Sequence, residues 1–162
     1  MKELEDIRSL LIPIKYRKEI TEKVPKGWMV LKKGAYLFAA VPFEEIPSDD
    51  FGSKHVKNTI RKLLFSFPII AEKGLFLLYY GDQKRWSETK ERFEVDKTAL
   101  RPVILQSVHF ADFKTGQNYN TRTHWGPVKF GFCGKTIELL EGYFKNLSDN
   151  HTLDPTEANS PE

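Results

Sequence analysis

Cysteine is nearly absent from this sequence of 162 residues, in which Cys133 stands alone. A single cysteine excludes an internal disulfide and a cysteine-rich zinc site. Long apolar runs are absent as well. No stretch approaches the ~20 residues that a membrane-spanning helix needs, and the apolar run from Leu10 to Ile12 is far too short for a signal-peptide core. We therefore expect a cytoplasmic protein in a reducing compartment, with no membrane partner.

A strong excess of one charge is also missing, since the formal net charge is +3 and the sequence pI is about 8.9. This balance does not by itself predict a nucleic-acid partner, which only clustered charge can indicate. Hydrophobic residues make up 40% of the chain, too many for a disordered protein and enough for a core. The chain length predicts one domain over residues 1–147, and the polar composition of residues 148–162 predicts a disordered tail.

Glycines between apolar runs predict two β-hairpins. One turns at Gly34 and the other at Gly74, because glycine can adopt the positive φ of a tight turn. The run after the second turn, Leu75–Tyr80, has no polar alternation, which suits a central strand covered on both faces. Further strands are predicted from alternating, β-branched or aromatic residues at Glu91–Val95, Arg101–Phe113 and Val128–Cys133.

Helical periodicity predicts a helix from Lys54 to about Ser66, because apolar residues recur on one of its faces. These residues are Val56, Ile60, Leu63, Leu64 and Phe67. Similar spacing predicts helices over Glu3–Leu11 and Thr136–Leu147. The elements together indicate an α+β fold with a mainly antiparallel, hairpin-rich sheet of six or seven strands. Three or four helices are expected to pack on one face of this sheet.

Two of the four histidines flank a polar loop between the predicted strands. If this loop is a hairpin tip, His109 and His124 approach each other across the two strands. Such a pair can act as general acid and base in a metal-independent, ribonuclease-like phosphodiesterase, with Arg122 or Lys114 stabilising the phosphate. The ordinary alternative is a hairpin loop whose polar residues only pack. No third ligand accompanies the histidines, so neither a metal nor another cofactor is predicted.

Basic residues beside aromatic residues form a second candidate site. On the predicted helix after Ser53, Lys54, Lys57 and Arg61 fall at i, i+3 and i+7. Cations next to aromatic rings are typical of proteins that bind RNA or other single-stranded nucleic acid, where bases stack and phosphates pair. A solvated helix face and lysines that keep sheet edges soluble would produce the same pattern. The remaining predicted contacts are Lys84, Arg85, Trp86 and Trp125.

Two short motifs indicate a function more weakly than the histidine pair and the basic residues do. Gly134-Lys135-Thr136 has the last three residues of a phosphate-binding loop, but the glycine that should precede it by five residues is Lys129. Glu88-Thr89-Lys90 has the letters of a metal-dependent nuclease motif in a polar, non-strand context. The leading hypothesis is therefore a nucleic-acid-binding module. The phosphodiesterase and an interaction domain with an uncovered apolar sheet face are the alternatives, and whether the chain is an enzyme stays open.

Overall fold

In the computed structural model of the protein, one β-sheet carries helices on both faces. The structure describes residues 1–16, 18–20, 23–49, 53–64, 72–97, 101–123, 126–127 and 133–152. Short 3-10 helices in this part of the chain cover Ile12–Ile14, Phe43–Glu45 and Lys90–Arg92. The other elements are α1 (Lys2–Leu11), β1 (Lys18–Glu19), β2 (Met29–Lys33), β3 (Tyr36–Pro42), α2 (Lys54–Leu64), β4 (Lys73–Tyr80), α3 (Gln83–Ser87), β5 (Val103–Ala111), β6 (Asn118–Arg122) and α4 (Gly134–Thr152).

The strands lie in the sheet in the order of the chain, from β1 to β6. The outer pairs, β1–β2, β2–β3 and β5–β6, are antiparallel. The two central pairs, β3–β4 and β4–β5, are parallel. The prediction of six or seven mainly antiparallel strands is therefore wrong. Within the described residues, five strands of at least five residues form a mixed α+β sheet, with the two-residue β1 at its edge.

The central strands are parallel because helical connections join them. The chain returns from β3 to β4 through α2 and from β4 to β5 through α3, and such crossovers bring the next strand in with the same direction. The hairpin predicted around Gly74 is consequently wrong, and this glycine lies inside β4, paired with Ile104. The prediction that Leu75–Tyr80 is a strand buried on both faces is confirmed.

The hairpin predicted around Gly34 is also confirmed. Lys33 pairs with Tyr36 across a two-residue turn, and Gly34 in that turn has φ +55°. A left-handed backbone of this kind favours glycine over residues with a β-carbon. Local turn chemistry was therefore sufficient to locate this antiparallel pair.

Each face of the sheet has its own hydrophobic core, because the side chains of β3 and β4 point alternately to the two faces and are apolar on both faces. On one face, Leu75 and Leu77 pack with Val56 and Ile60 of α2 and with Trp86 of α3. The other face packs against α1 and α4 through Phe76, Leu78, Ile7, Leu11, Ile137, Leu140 and Phe144. The prediction of helices on one face is wrong. Among the described residues, the large apolar side chains that are exposed are Met1 and Ile12, and the alternative of an interaction domain stays a prediction.

The region after β5 differs from the predicted long polar loop. A tight turn, in which the Asp112 carboxylate accepts a hydrogen bond from the Lys114 amide at 2.9 Å, leads directly into β6. This strand is polar because it lies at the edge of the sheet, where charged and amide side chains remain in water. The strand predicted at Val128–Cys133 lies outside the described residues except for Cys133.

Two further boundaries need correction. The predicted edge strand Glu91–Val95 is absent, because a 3-10 helix covers Lys90–Arg92 and irregular chain follows. Helix α4 continues to Thr152, beyond the predicted end at Leu147. Asn118 stabilises this extra turn by donating a hydrogen bond of 2.8 Å to the hydroxyl of Ser148. The predicted disorder of the remaining tail, residues 153–162, lies outside the described residues.

Candidate functional site

The predicted basic face of α2 forms one wall of a groove. The helix is amphipathic, so burial of Val56 and Ile60 turns the opposite side to solvent. Lys54 and Arg61 are exposed and Lys57 is half-buried, and all three line the same groove. The spacing of i, i+3 and i+7 therefore brings these three cations together, as the sequence predicted.

The second wall comes from the amino end of β5. Arg101, Pro102 and Val103 face α2 across a groove of about 430 Å³. The side chain of Arg101 is 55% exposed, so its guanidinium can reach solvent and a ligand. This arginine was not among the predicted site residues, because nothing in the local pattern indicates that the chain before β5 returns to α2.

A buried carboxylate joins the two walls. Asp96 is 8% exposed, and its Oδ1 lies 3.3 Å from Nζ of Lys57 and 3.1 Å from Nη1 of Arg101. Its Oδ2 accepts a hydrogen bond of 2.7 Å from the Leu105 amide, which ties it to β5. The carboxylate therefore holds one cation from each wall in place. Four cationic side chains against one carboxylate leave the groove with a net charge of +3.

The second predicted basic group, on α3, does not join this groove. Trp86 is 1% exposed, packs against Phe110 and donates its indole N–H to the Gly81 carbonyl at 3.3 Å. A base cannot stack on a ring that is already enclosed. Lys84 and Arg85 are exposed but face two other depressions of the surface. Trp125 lies outside the described residues.

His109, the described member of the predicted catalytic pair, is fully buried in β5. Its Nε2 lies 3.1 Å from the Ser107 hydroxyl and its ring packs against Phe144, while its Nδ1 has no hydrogen-bond partner among the described residues. Burial, with a smaller contribution from the charge of Arg122, lowers the pKa of His109 to about 3. The imidazole is therefore neutral near pH 7.

The rest of the predicted catalytic site is only partly described. Arg122 is exposed at the end of β6 and forms an ion pair of 3.3 Å with Glu141 of α4. His124 lies outside the described residues, so its approach to His109 stays a prediction.

The two weaker motifs also have defined positions. Gly134-Lys135-Thr136 opens α4, where the buried Thr136 hydroxyl lies 3.1 Å from the Tyr16 hydroxyl. Cys133, expected to be a small buried residue, is half-buried, and Nζ of Lys33 lies 3.7 Å from its sulfur. Glu88-Thr89-Lys90 lies in the turn after α3, and no group of three His, Cys, Asp or Glu side chains in the described part of the chain could hold a metal ion.

Comparison with known families, characterised proteins and solved structures finds no match to this chain. Among the helices in the described residues, none has both the length and the apolar character that crossing a membrane requires. The function has therefore to be argued from the arrangement of the side chains themselves.

Proposed function

We propose that the protein binds nucleic acid through its phosphate backbone, in the groove between α2 and the amino end of β5. The observation that carries this proposal is the convergence of Lys54, Lys57, Arg61 and Arg101 on one groove, with Asp96 holding two of them. Lysine and arginine side chains are the groups that neutralise phosphates in most protein–nucleic acid complexes.

The spacing of the cations suits a polyanion better than a single small anion. Lys54 and Arg61 are seven residues apart on a helix that rises 1.5 Å per residue, which separates their Cα atoms by about 10 Å. This distance corresponds to roughly three nucleotides of one strand, at 3.4 Å per nucleotide along the helix axis. A row of phosphates can therefore contact both ends of the groove at once.

Base stacking is not part of the proposal. Tyr16 and Trp86, which are adjacent to basic residues in the sequence, are both 1% exposed. Because no aromatic ring is among the described residues that line the groove, it would recognise charge and backbone geometry, with little preference for base sequence. Catalysis by His109 is not proposed either, because its imidazole is enclosed and a general acid or base must reach its substrate.

Fluorescence anisotropy with a labelled oligonucleotide of 20 nucleotides, single-stranded and duplex, tests this function. If all four cations contact phosphates, the logarithm of the binding constant should fall with the logarithm of salt concentration with a slope of about −3.6 for duplex DNA and about −2.8 for a single strand. The double variant Lys54→Gln/Arg61→Gln should reduce both slopes by about half.

A matched control carries the same charge change elsewhere. Lys2 of α1 and Lys145 of α4 are exposed and belong to helices on the other face of the sheet, so Lys2→Gln/Lys145→Gln should leave the slopes nearly unchanged. Equal losses in both double variants would mean that the overall charge, and not the groove, attracts the polyanion. Binding that is insensitive to salt would contradict the proposal directly.

A further inference from the structure

The phosphate-binding groove between α2 and β5 is bordered by a further lysine on the neighbouring strand. Lys73 is the first residue of β4 and pairs with Val103, a residue of β5 that lines the groove. Its backbone amide donates a hydrogen bond of 3.0 Å to the carbonyl of Pro102, which also lines the groove. The backbone of Lys73 is therefore one strand spacing, about 4.8 Å, from the wall of the groove.

A second lysine, Lys32 of β2, lies on the same face of the sheet as Lys73. Successive side chains of a strand alternate between the two faces, and Leu75, two residues after Lys73, packs in the core that α2 covers. Lys32 has the same relation to Val30, which belongs to the same core. Both lysines are half-buried, so part of each side chain stays in contact with solvent. The two lysines and the cations of α2 therefore share one face of the sheet.

The positive charges of Lys32 and Lys73 are not neutralised by neighbouring carboxylates. Nζ of Lys73 donates a hydrogen bond of 3.3 Å to the Gly34 carbonyl, and neither lysine forms an ion pair with a residue that the structure describes. Burial, followed by the charge of Lys32, lowers the pKa of Lys73 below its ordinary value. Because a like charge nearby disfavours the ionised form, a phosphate bound beside these lysines would stabilise both of them.

These two lysines extend the row of cations across the sheet. From β5 to β2 there are three strand positions, which is about 14 Å at the usual spacing of strands. Lys54 and Arg61 are already about 10 Å apart along α2. The whole path is therefore about 24 Å long, which corresponds to about seven nucleotides at roughly 3.4 Å per nucleotide.

The path turns where it leaves α2. A crossover helix runs back against the direction of its strands, whereas the row from β5 to β2 crosses the strands. Double-stranded DNA is stiff over about 150 base pairs and bends within a few nucleotides only at a high cost, whereas a single strand can follow the turn. We propose that the phosphate-binding surface continues from the groove over Lys73 to Lys32, and that its ligand is a single strand of about seven nucleotides. The extension rests on the proposed function, in which the groove supplies the other phosphate contacts.

Fluorescence anisotropy with labelled single strands of about four and about ten nucleotides tests the extension, because at roughly 3.4 Å per nucleotide the shorter strand fits the groove alone and the longer one covers the whole path. With six phosphate contacts in place of four, the longer strand should give a salt slope of about −4.2 and the shorter one about −2.8. Lys32→Gln/Lys73→Gln should bring the longer strand to about −2.8 and leave the shorter strand and a duplex unchanged. Lys54→Gln/Arg61→Gln should instead reduce the slopes of both single strands.

Two controls separate the extension from a general effect of charge or of folding. Lys32→Arg/Lys73→Arg keeps both charges and should retain the slope of about −4.2 for the longer strand. Lys2→Gln/Lys145→Gln removes two charges from helices on the other face of the sheet and should also retain it.

The extension and the proposed function fail in different ways. Equal slopes for the two single strands, unchanged in Lys32→Gln/Lys73→Gln, would overturn the extension and leave the groove as the whole site. The extension would also be overturned if that variant weakened the duplex or the shorter strand as much as the longer one, since only a diffuse attraction would then be lost. A binding constant that is insensitive to salt for both strands, or no binding at all, would overturn the proposed function and the extension with it.

Discussion

The two grooves lie at opposite ends of the same parallel strands and carry opposite charge. The basic groove lies beside the amino end of β5, and two of its four cations, Lys57 and Arg101, are tied to the buried Asp96. The acidic groove, of about 1120 Å³, lies beyond the carboxyl ends of β4 and β5, where it is lined by Glu3, Glu44, Asp82 and Asp112 together with Lys84 and Lys114. The same sheet therefore separates a surface whose charges are paired in part from a surface whose carboxylates form no ion pair with a described residue.

The two grooves also differ in what holds their charged side chains in place. A cation held by a buried carboxylate is preorganised, so a polyanion that binds it needs to order fewer side chains. In the acidic groove, the carboxylates of Asp82 and Asp112 accept hydrogen bonds from the backbone amides of Lys84 and Lys114, so local turns and not ion pairs hold them. The proposed association of a polyanion with the basic groove should therefore be rapid and salt-dependent.

The largest effect is expected from removing the charge that organises the basic groove. Asp96→Asn should lower the free energy of unfolding by about 2–3 kcal/mol, because an amide has one acceptor oxygen and cannot serve both the Leu105 amide and the two cations. Urea unfolding monitored by tryptophan fluorescence measures this change. Glu138→Gln, which breaks an exposed ion pair, should change stability by less than about 0.5 kcal/mol. Comparable values for the two variants would show that Asp96 does not organise the groove.

A smaller effect is expected from the titration of His109, which is buried in β5. Burial gives His109 a pKa of about 3 in the folded protein, against 6.5 for an unperturbed imidazole. Below pH 6.5 the unfolded chain therefore binds a proton that the folded chain does not, and stability falls as the pH falls. The slope approaches about 1.4 kcal/mol per pH unit, so this histidine alone should remove about 2 kcal/mol between pH 7 and pH 5.

Urea unfolding of the protein and of His109→Leu at pH 7, 6 and 5 checks this slope. The variant is expected to be less stable at pH 7, and its pH dependence should be shallower by the amount that His109 contributes. His151→Gln changes an exposed histidine and should keep the original slope. Parallel pH profiles for the protein and His109→Leu would contradict the assignment.

The smallest effect is expected from a substitution at Gly81, which lines the acidic groove. Gly81 has φ +144°, a backbone conformation that residues with a β-carbon rarely adopt, and an added β-carbon would lie 2.5 Å from the Glu44 carboxylate. Gly81→Ala should therefore destabilise the protein by about 1–2 kcal/mol and displace Glu44 from the groove. Gly142→Ala, inside α4 and with open space around the new carbon, should instead stabilise by about 0.5–1 kcal/mol. Thermal unfolding distinguishes the two signs, and a stabilising Gly81→Ala would contradict the backbone argument.

The helical face of α2 and the tight turn at Gly34 could be predicted because both depend on residues that are neighbours in the chain. The periodicity that buries Val56 and Ile60 places Lys54, Lys57 and Arg61 together on the exposed side. The burial of Trp86 could not be predicted in this way, because a tryptophan beside basic residues can belong to a binding surface or to a core. Only the position of α3 against Phe110 shows which applies.

Local pattern alone thus determines the apolar strand Leu75–Tyr80, the tight turn at Gly34 and the amphipathic α2, since each depends on interactions over a few residues. The direction of β4 and the meeting of Arg101 with Lys57 around Asp96 depend on how crossover helices pack against the sheet. The same packing places Glu44, Asp82 and Asp112 at one groove. These groups are far apart in the chain. They come together because the sheet buries both of its apolar faces at once, and no single segment of the sequence encodes that requirement.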